Sequence, residues 1–343
     1  LRRRPMTAAD SSASNLDRRL MAAALRLGRR NLGHTGSNPA VGALIVRAEA
    51  GGHRVVGRGW TAIGGAPHAE TLALQEAGEA AIGATAYVTL EPCAHQGRTP
   101  PCANALLEAG IGRLVTAMTD PDPRVSGKGL SVLKAAGVDI TNGVLEAEAS
   151  VDHGGHIRRV TMGRPWVTLK LAISADGMIG RREGERMMVS GAAAIDRVHA
   201  MRTEYDGIMV GIGTVEIDDP QLTSRGSIAA PAQPTRIAVD SDARISPESR
   251  LVRTSGDVPF WLMVAEDADE SRLAVLEAAG AVVKKVGRGA GGLDLAQVFA
   301  RLADDGLSRV LVEGGAKLAS SLVGSDLADE VAFFRAPVVI GPE

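Results

Sequence analysis

From Val41 onward the chain alternates short apolar runs of strand length with segments of helical period, and the alternation breaks once, near Thr161-Met-Gly-Arg-Pro165. Such a pattern buries its apolar faces only when helices cover a sheet, so it dictates α/β layers. A break followed by a fresh strand dictates a second unit of the same class. At 343 residues the chain exceeds the size at which one core keeps growing. We therefore expect two domains, residues 16–160 and 166–343, behind a disordered tail over residues 1–15. Aromatic residues are only 3% of the chain, so both cores must be built from Ala, Val, Leu and Ile.

Leu16, Leu20, Ala23, Ala24 and Leu27 recur at helical spacing and predict a first helix over 16–30. Strands are expected at 41–47 and 54–59, around Gly51-Gly52, and at 86–90 and 113–118. Helices are expected at 68–80, 102–109 and 127–136, the last two ended by Gly110 and Gly137. In the second half the same reasoning gives strands at 166–173, 207–210, 236–239, 260–264, 282–286 and 309–312. Helices there fall at 192–202, 271–279, 293–302 and 317–323. That spacing suits a largely parallel sheet.

Charge and composition narrow the function classes. With 38 basic and 40 acidic residues, the formal net charge of −2 gives no electrostatic reason to expect a nucleic-acid partner. No run reaches the roughly 18–20 apolar residues of a membrane-spanning helix. The basic opening Leu1-Arg-Arg-Arg-Pro5 is followed by no apolar core of a signal peptide. Two cysteines are too few for a disulfide framework, so a reducing cytoplasm with free thiols is expected.

Those two cysteines belong to the most specific chemistry in the chain: Pro67-His68-Ala69-Glu70, Glu91-Pro92-Cys93 and Pro100-Pro101-Cys102. Catalytic zinc takes three N or S donors and leaves a fourth position for water. His68, Cys93 and Cys102 supply that set, with two thiolates that cancel the charge of the ion. Glu70, two positions beyond His68 in the first turn of a helix, is placed to move a proton without ligating the metal. Together they resemble the zinc-deaminase signature, H-x-E followed by P-C-x-x-C, except that the spacing between the two cysteines differs. His95, in the same loop, is read as a solvated or supporting group, because a fourth protein ligand would close the water position.

Eight residues separate Cys93 from Cys102, and this expansion resembles the bifunctional deaminase-reductases of riboflavin biosynthesis. Their pattern runs T-L-E-P-C, a short polar stretch, then G-[KR]-T-P-P-C. This chain has Thr89-Leu-Glu-Pro-Cys93 and Gly97-Arg-Thr-Pro-Pro-Cys102. Asn38-Pro-Ala-Val-Gly42 and Asp120-Pro-Asp-Pro123 are similar to the family's N-P-x-V-G and D-P-N-P, with Asp122 where Asn is usual and Thr61 where a His is frequent. The resemblance implies a cytidine-deaminase-like α/β/α sandwich, one zinc ion, and substrate contacts from Asn38, Arg98 and Asp120.

The resemblance continues through the second half. Lys170-Leu-Ala-Ile-Ser-Ala-Asp-Gly177, Gly211-Ile-Gly-Thr-Val215, Asp218-Asp-Pro-Gln-Leu-Thr223 with Arg225, and Val312-Glu-Gly-Gly315 match the family's reductase motifs in order. A Gly pair between strand and helix lets backbone N–H groups approach a phosphate, which places Gly314 and Gly315 against a cofactor. Arg202 and Arg225 are suited to clamp a sugar phosphate, and Glu313 to sit at the reacting ribose.

The resemblance implies a dihydrofolate-reductase-like domain that uses NADPH. It places the cofactor against Ala172, Thr214, Asp218, Ser241, Gly314 and Gly315, and the substrate against Lys170, Arg202, Leu222, Arg225 and Glu313. It also implies a small pyrimidine ribose phosphate substrate and a homo-oligomer, dimer or tetramer. Two departures are visible: Arg186 and Met188 replace a Ser and a Trp, and the chain stops at Glu343, short of the family's last strands. Alternatives are a nucleoside or tRNA deaminase, a deaminase-only relative with an impaired reductase half, and a non-catalytic zinc-bearing sensor.

Overall fold

The computed structural model describes residues 14–94, 100–179, 191–226 and 230–341. It divides into two compact units, Leu1–Met162 and Gly163–Glu343. The first unit begins with α1 (Asn15–Gly28), opened by a reciprocal cap in which the Ser14 hydroxyl accepts from the Asp17 N–H and the Asp17 carboxylate accepts from the Ser14 N–H. There follow β1 (Gly42–Glu49), β2 (Gly52–Trp60), α2 (Ala69–Ala77), β3 (Thr85–Val88), α3 (Cys102–Glu108) and β4 (Arg113–Thr116). The unit closes with α4 (Lys128–Ala135), β5 (Asp139–Asn142), α5 (Glu146–Asp152) and α6 (Gly154–Met162).

Its sheet has the order β2-β1-β3-β4-β5; β1 runs antiparallel to both neighbours, and β3, β4 and β5 are parallel. Small side chains let the helices lie close: Met21 and Ala24 of α1 and Ala69 and Ala73 of α2 pack on Ala43, Ile45 and Val88. At Gly59 the approach leaves no room at all, since a Cβ there would stand 1.9 Å from the Ala69 carbonyl oxygen. The first turn of α2 is thereby pressed onto β2. Asp17 ties α1 to the sheet, accepting from Arg113 Nη1 at 2.9 Å and from the Tyr87 hydroxyl at 2.8 Å. Burial alone would raise its pKa, but the bonds from Arg113, Tyr87 and Ser14 outweigh burial and hold the carboxyl well below its usual range.

The second unit opens with β6 (Trp166–Ile173), α7 (Ala192–Arg202), β7 (Gly207–Gly211), α8 (Ile212–Asp218), β8 (Thr235–Val239), α9 (Arg250–Arg253), β9 (Phe260–Ala265) and α10 (Glu270–Ala278). It continues with β10 (Val282–Val286), the short hairpin strands β11 (Arg288–Gly289) and β12 (Gly292–Leu293), α11 (Leu295–Asp304), β13 (Arg309–Glu313), α12 (Ala316–Gly324) and β14 (Glu330–Arg335). The main sheet has the order β10-β9-β8-β7-β13-β6-β14, with every pairing parallel. Apolar residues of α11 and α12 cover one face, and those of α8, α9 and α10 the other. Strand order reverses at β7, with β8 on one side and β13 on the other. In an open parallel sheet such a switch point opens a crevice at the carboxyl ends of the strands.

Several elements went unassigned by sequence reasoning. β5 is a four-residue edge strand with one strongly apolar residue, Ile140, and α5 and α6 leave Val151 and Met162 exposed. Their periodic signal is accordingly faint. α8 runs through the Gly-Ile-Gly-Thr-Val segment, where two glycines read as turn. β14 is an edge strand whose Phe333 stays 62% exposed, so the alternation that marks a half-buried strand is missing from its sequence.

Candidate functional site

In the first unit, His68 is the residue that caps α2, Glu70 lies in the first turn, Cys93 follows β3 and Cys102 opens α3. The sheet brings these starts together. The His68 Nδ1 lies 3.3 Å from the Cys102 Sγ and 3.8 Å from the Cys93 Sγ, and the three donor atoms all lie within 4.8 Å of one another. A tetrahedral zinc ion with bonds of about 2.3 Å to S and about 2.0 Å to N holds such donors roughly 3.5 Å apart. The observed spacing fits that ion.

Charge at the cluster is arranged around the sulfurs. Hydrogen bonds from the Cys102 thiol, the His68 ring and the Cys102 backbone N–H (3.4 Å) bring the Cys93 thiol down to about 4 against the effect of burial. The Cys102 thiol, bonded to Cys93 and buried, is pushed up, and the bond to Cys93 raises His68. Glu70 is 4% exposed, and its carboxylate lies beside the Cys102 thiol. Burial and the neighbouring Cys93 charge push Glu70 up to about 7.

A carboxylate that sequence reasoning missed supports the ligand loop. Glu91, 3% exposed, accepts from the backbone N–H groups of Asp120 (3.2 Å), Gly127 (2.9 Å), Gly129 (2.9 Å) and Leu130 (3.3 Å). It thus clamps the segment that carries Cys93 to the loop before α4 and to the first turn of that helix. A Cβ on Gly129 would meet the Pro92 carbonyl oxygen at 1.9 Å. The T-L-E-P-C run held the signal, since a buried Glu beside a ligand implies partners.

Asn38 donates to the Gly65 carbonyl at 2.8 Å. Thr61 pins the same segment, donating to the Pro39 carbonyl at 2.9 Å and accepting from the Val41 N–H at 3.0 Å. Asp120 is buried and bonded to His156 Nε2 at 2.9 Å, while Asp122 pairs with Arg124 at 2.5 Å. Arg98 and His95 lie outside the described residues, as do Arg186 and Met188.

The second unit holds a cavity of about 1260 Å³ at the switch point. It is lined by Lys170 and Ala172 from β6, Thr214 and Asp218 from α8, Ser241 after β8, and Gly314 and Gly315 after β13. Gly314 and Gly315 adopt φ of 86° and 91°, a left-handed conformation that favours glycine. They lie against Thr214, whose Oγ1 would be 3.4 Å from a Cβ on Gly314.

Arg202, Leu222, Arg225 and Glu313 are not part of that lining. Arg202 is buried, bonding Glu313 through Nε at 2.7 Å and Nη2 at 2.9 Å, and the Thr223 carbonyl through Nη1 at 2.7 Å. Glu313 therefore does not face water at a strand end but is held in a two-pronged ion pair. Leu222 is 3% exposed with φ of 52°. Arg225 is exposed; its guanidinium bonds Gln221, and its backbone N–H donates to His199 Nδ1 at 3.2 Å.

A metal-spaced His/Cys/Cys cluster with a buried carboxylate, in one domain, and a Gly-lined crevice on a parallel sheet, in the other, define a two-domain enzyme that couples a zinc-dependent deaminase to a nucleotide-dependent reductase. Comparisons with known proteins agree. Residues 14–118 match the cytidine and deoxycytidylate deaminase zinc-binding region, and residues 165–343 match the RibD C-terminal domain. The riboflavin biosynthesis protein RibD of Escherichia coli (strain K12) is 37% identical over 338 residues, covering 95% of this chain and 89% of that protein. That of Bacillus amyloliquefaciens is 37% identical over 321 residues, covering 94% and 84%.

Among solved structures, Acinetobacter baumannii RibD superposes with a TM-score of 0.83 at 35% identity, covering 95% of this chain and 88% of that one. A Thermotoga maritima protein described as a diaminohydroxyphosphoribosylaminopyrimidine deaminase/5-amino-6-(5-phosphoribosylamino)uracil reductase gives 0.81 at 31% identity, covering 95% and 88%. The chain belongs to the RibD family of bifunctional riboflavin biosynthesis enzymes, with that family's zinc-binding deaminase domain and its NADPH-using reductase domain. Both halves match, so the nucleoside or tRNA deaminase and the deaminase-only alternatives are not needed. No described helix is long and apolar enough to cross a membrane.

Proposed function

We propose that the first domain removes the 2-amino group of 2,5-diamino-6-(5-phosphoribosylamino)pyrimidin-4-one by hydrolysis, and that the second reduces the ribosyl chain of the product to ribityl. The observation that carries this reading is the convergence of His68 Nδ1, Cys93 Sγ and Cys102 Sγ within 4.8 Å, with the Glu70 carboxylate against them. His68, Cys93 and Cys102 would hold the zinc, which supplies Lewis acidity that makes hydroxide available near neutral pH. Glu70 takes a proton from water at its carboxylate and delivers it to the departing amine. The site's burial keeps that carboxylate from being swamped by bulk water. Asn38, Arg98 and Asp120 position the substrate, and Glu91 keeps the Cys93 loop in register.

In the second domain Ala172, Thr214, Asp218, Ser241, Gly314 and Gly315 would hold NADPH, which supplies the hydride. Lys170, Leu222 and Glu313 address the ribose. Arg202, whose guanidinium is spent on Glu313 and Thr223, fixes that carboxylate rather than meeting a phosphate. The exposed Arg225 is the better phosphate clamp. Free thiols devoted to a metal site support a reducing, cytoplasmic setting.

Purified protein given the diaminopyrimidine phosphate tests both halves. Ammonia should appear without NADPH, and NADPH absorbance should then fall once the nucleotide is added. No ammonia from the zinc-loaded protein refutes the first assignment, and ammonia without NADPH consumption refutes the second.

A further inference from the structure

Three residues spaced along α6 reach three separate segments of the deaminase domain. His153, whose carbonyl accepts from the Ile157 N–H at the start of that helix, is followed at three-residue intervals by His156 and Arg159. Side chains so spaced are neighbours along one side of a helix. His153 Nε2 lies 3.1 Å from the Thr89 carbonyl oxygen, where the run that ends in Cys93 begins. His156 Nε2 lies 2.9 Å from Asp120 Oδ1, and Arg159 donates to the Ser37 carbonyl, next to Asn38, at 2.6 Å. One helix therefore braces the Cys93 run, the Asp120 loop and the Asn38 loop together.

The outer two contacts hold main-chain carbonyls, whereas the middle one grips a carboxylate. Asp120 and His156 are both buried. The Asp120 N–H donates to Glu91 Oε2 at 3.2 Å, which fixes its main chain, and its Oδ1 accepts from the Asp122 N–H at 2.8 Å as well as from His156. An oxygen that already accepts from a peptide N–H makes the imidazole Nε2 the second donor. Two donors on one oxygen stop the carboxylate from turning about its Cβ–Cγ bond. Among the described residues Oδ2 takes no hydrogen bond, so it is the oxygen left for a ligand. His156 Nδ1 is buried without a partner, which makes the bond to Asp120 the ring's one hydrogen bond among the described residues. Packing alone would be better served by a phenyl ring, with no polar atom to bury.

We infer that His156 is a positioning residue for the deamination: it holds Asp120 Oδ1 so that Oδ2 presents a fixed acceptor to an N–H or O–H of the pyrimidine substrate. This rests on Asp120 being a substrate contact, as proposed above. Without the imidazole donor the carboxylate can turn away, and substrate binding weakens while proton transfer through Glu70 is left in place. Loss of an interaction that is equal in the bound substrate and in the transition state raises KM and leaves kcat alone.

Steady-state ammonia release from the diaminopyrimidine phosphate by the full-length, zinc-loaded protein, without NADPH, tests this. His156→Phe removes the donor and keeps the bulk of the ring. It should raise KM about tenfold, as for one hydrogen bond to a charged group, with unchanged zinc content and with kcat within about threefold of wild type. His156→Gln, which offers an N–H at a similar reach, should recover most of the loss. In an Asp120→Ala background His156→Phe should raise KM no further, because the two residues act as one unit. Where the Phe variant does not fold, His156→Met removes the same donor with a more adaptable side chain. An unchanged KM in the folded Phe or Met variant, an equal loss in His156→Gln, or a full further loss on top of Asp120→Ala overturns the inference while leaving Asp120 at the substrate. A wild-type KM in Asp120→Ala overturns that contact and the inference with it.

Discussion

Replacing Glu91 by Gln tests how the deaminase loop is held. Each Glu91 oxygen accepts two backbone N–H groups: Oε2 those of Asp120 and Gly127, and Oε1 those of Gly129 and Leu130. An amide nitrogen in place of either oxygen turns two buried donors toward a third, and rotating the amide only exchanges which pair is lost. A hydrogen bond to a charged acceptor contributes about 1.5–3 kcal/mol. Losing two, less what the loop before α4 recovers by shifting, should destabilise the deaminase domain by about 3–5 kcal/mol. For a domain of this size that lowers its melting transition by roughly 10–20 °C. Because Cys93 lies two residues from Glu91, zinc affinity should also fall, by about 10–100-fold as for other groups that orient ligands. Calorimetric melting and competitive chelation measure both. A Glu91→Gln protein that melts within about 1 kcal/mol of wild type, on the same scale, and holds zinc as tightly would refute the clamp.

Glu70→Gln should keep its zinc, measured by elemental analysis, while ammonia release falls by about 10²–10⁴-fold, the usual scale of positioned proton transfer. Gly59→Ala should unfold or severely destabilise the first unit, read by circular dichroism, because its Cβ would stand 1.9 Å from the Ala69 carbonyl oxygen. Asp17, held below its usual carboxylate range by Arg113, Tyr87 and Ser14 against the effect of burial, contributes stability that is present above its unfolded value of about 3.9 and is lost as pH falls through the folded value. The gap in urea stability between wild type and Asp17→Asn should therefore be full at pH above about 5 and shrink on further acidification. Removing zinc with a chelator should abolish ammonia release yet leave NADPH binding intact, since each unit carries its own core.

Much of this was legible in the sequence where a local rule had no competitor. The H-x-E segment and the two Cys-bearing turns announced a metal site because their donor chemistry tolerates few substitutes, and the strands of the parallel sheet announced themselves as apolar runs. Elements whose stability comes from neighbours were silent: β5 and β14 are edge strands, and α8 starts on glycines. Glu91 was visible as a letter but not as a clamp, because its partners are backbone groups up to 39 residues away. Arg202 reads in the sequence as a phosphate fork; only the fold shows its partner, Glu313, 111 residues on.

The most direct measurement is zinc K-edge absorption spectroscopy of the purified protein together with its metal content. One zinc per chain with two sulfurs at about 2.3 Å and N/O donors at about 2.0 Å is the expected result, with the sulfur signal lost in Cys93→Ser and Cys102→Ser. A zinc shell without sulfur, or four protein ligands with no place for water, would contradict the assignment of His68, Cys93, Cys102 and Glu70 on which the deamination chemistry depends.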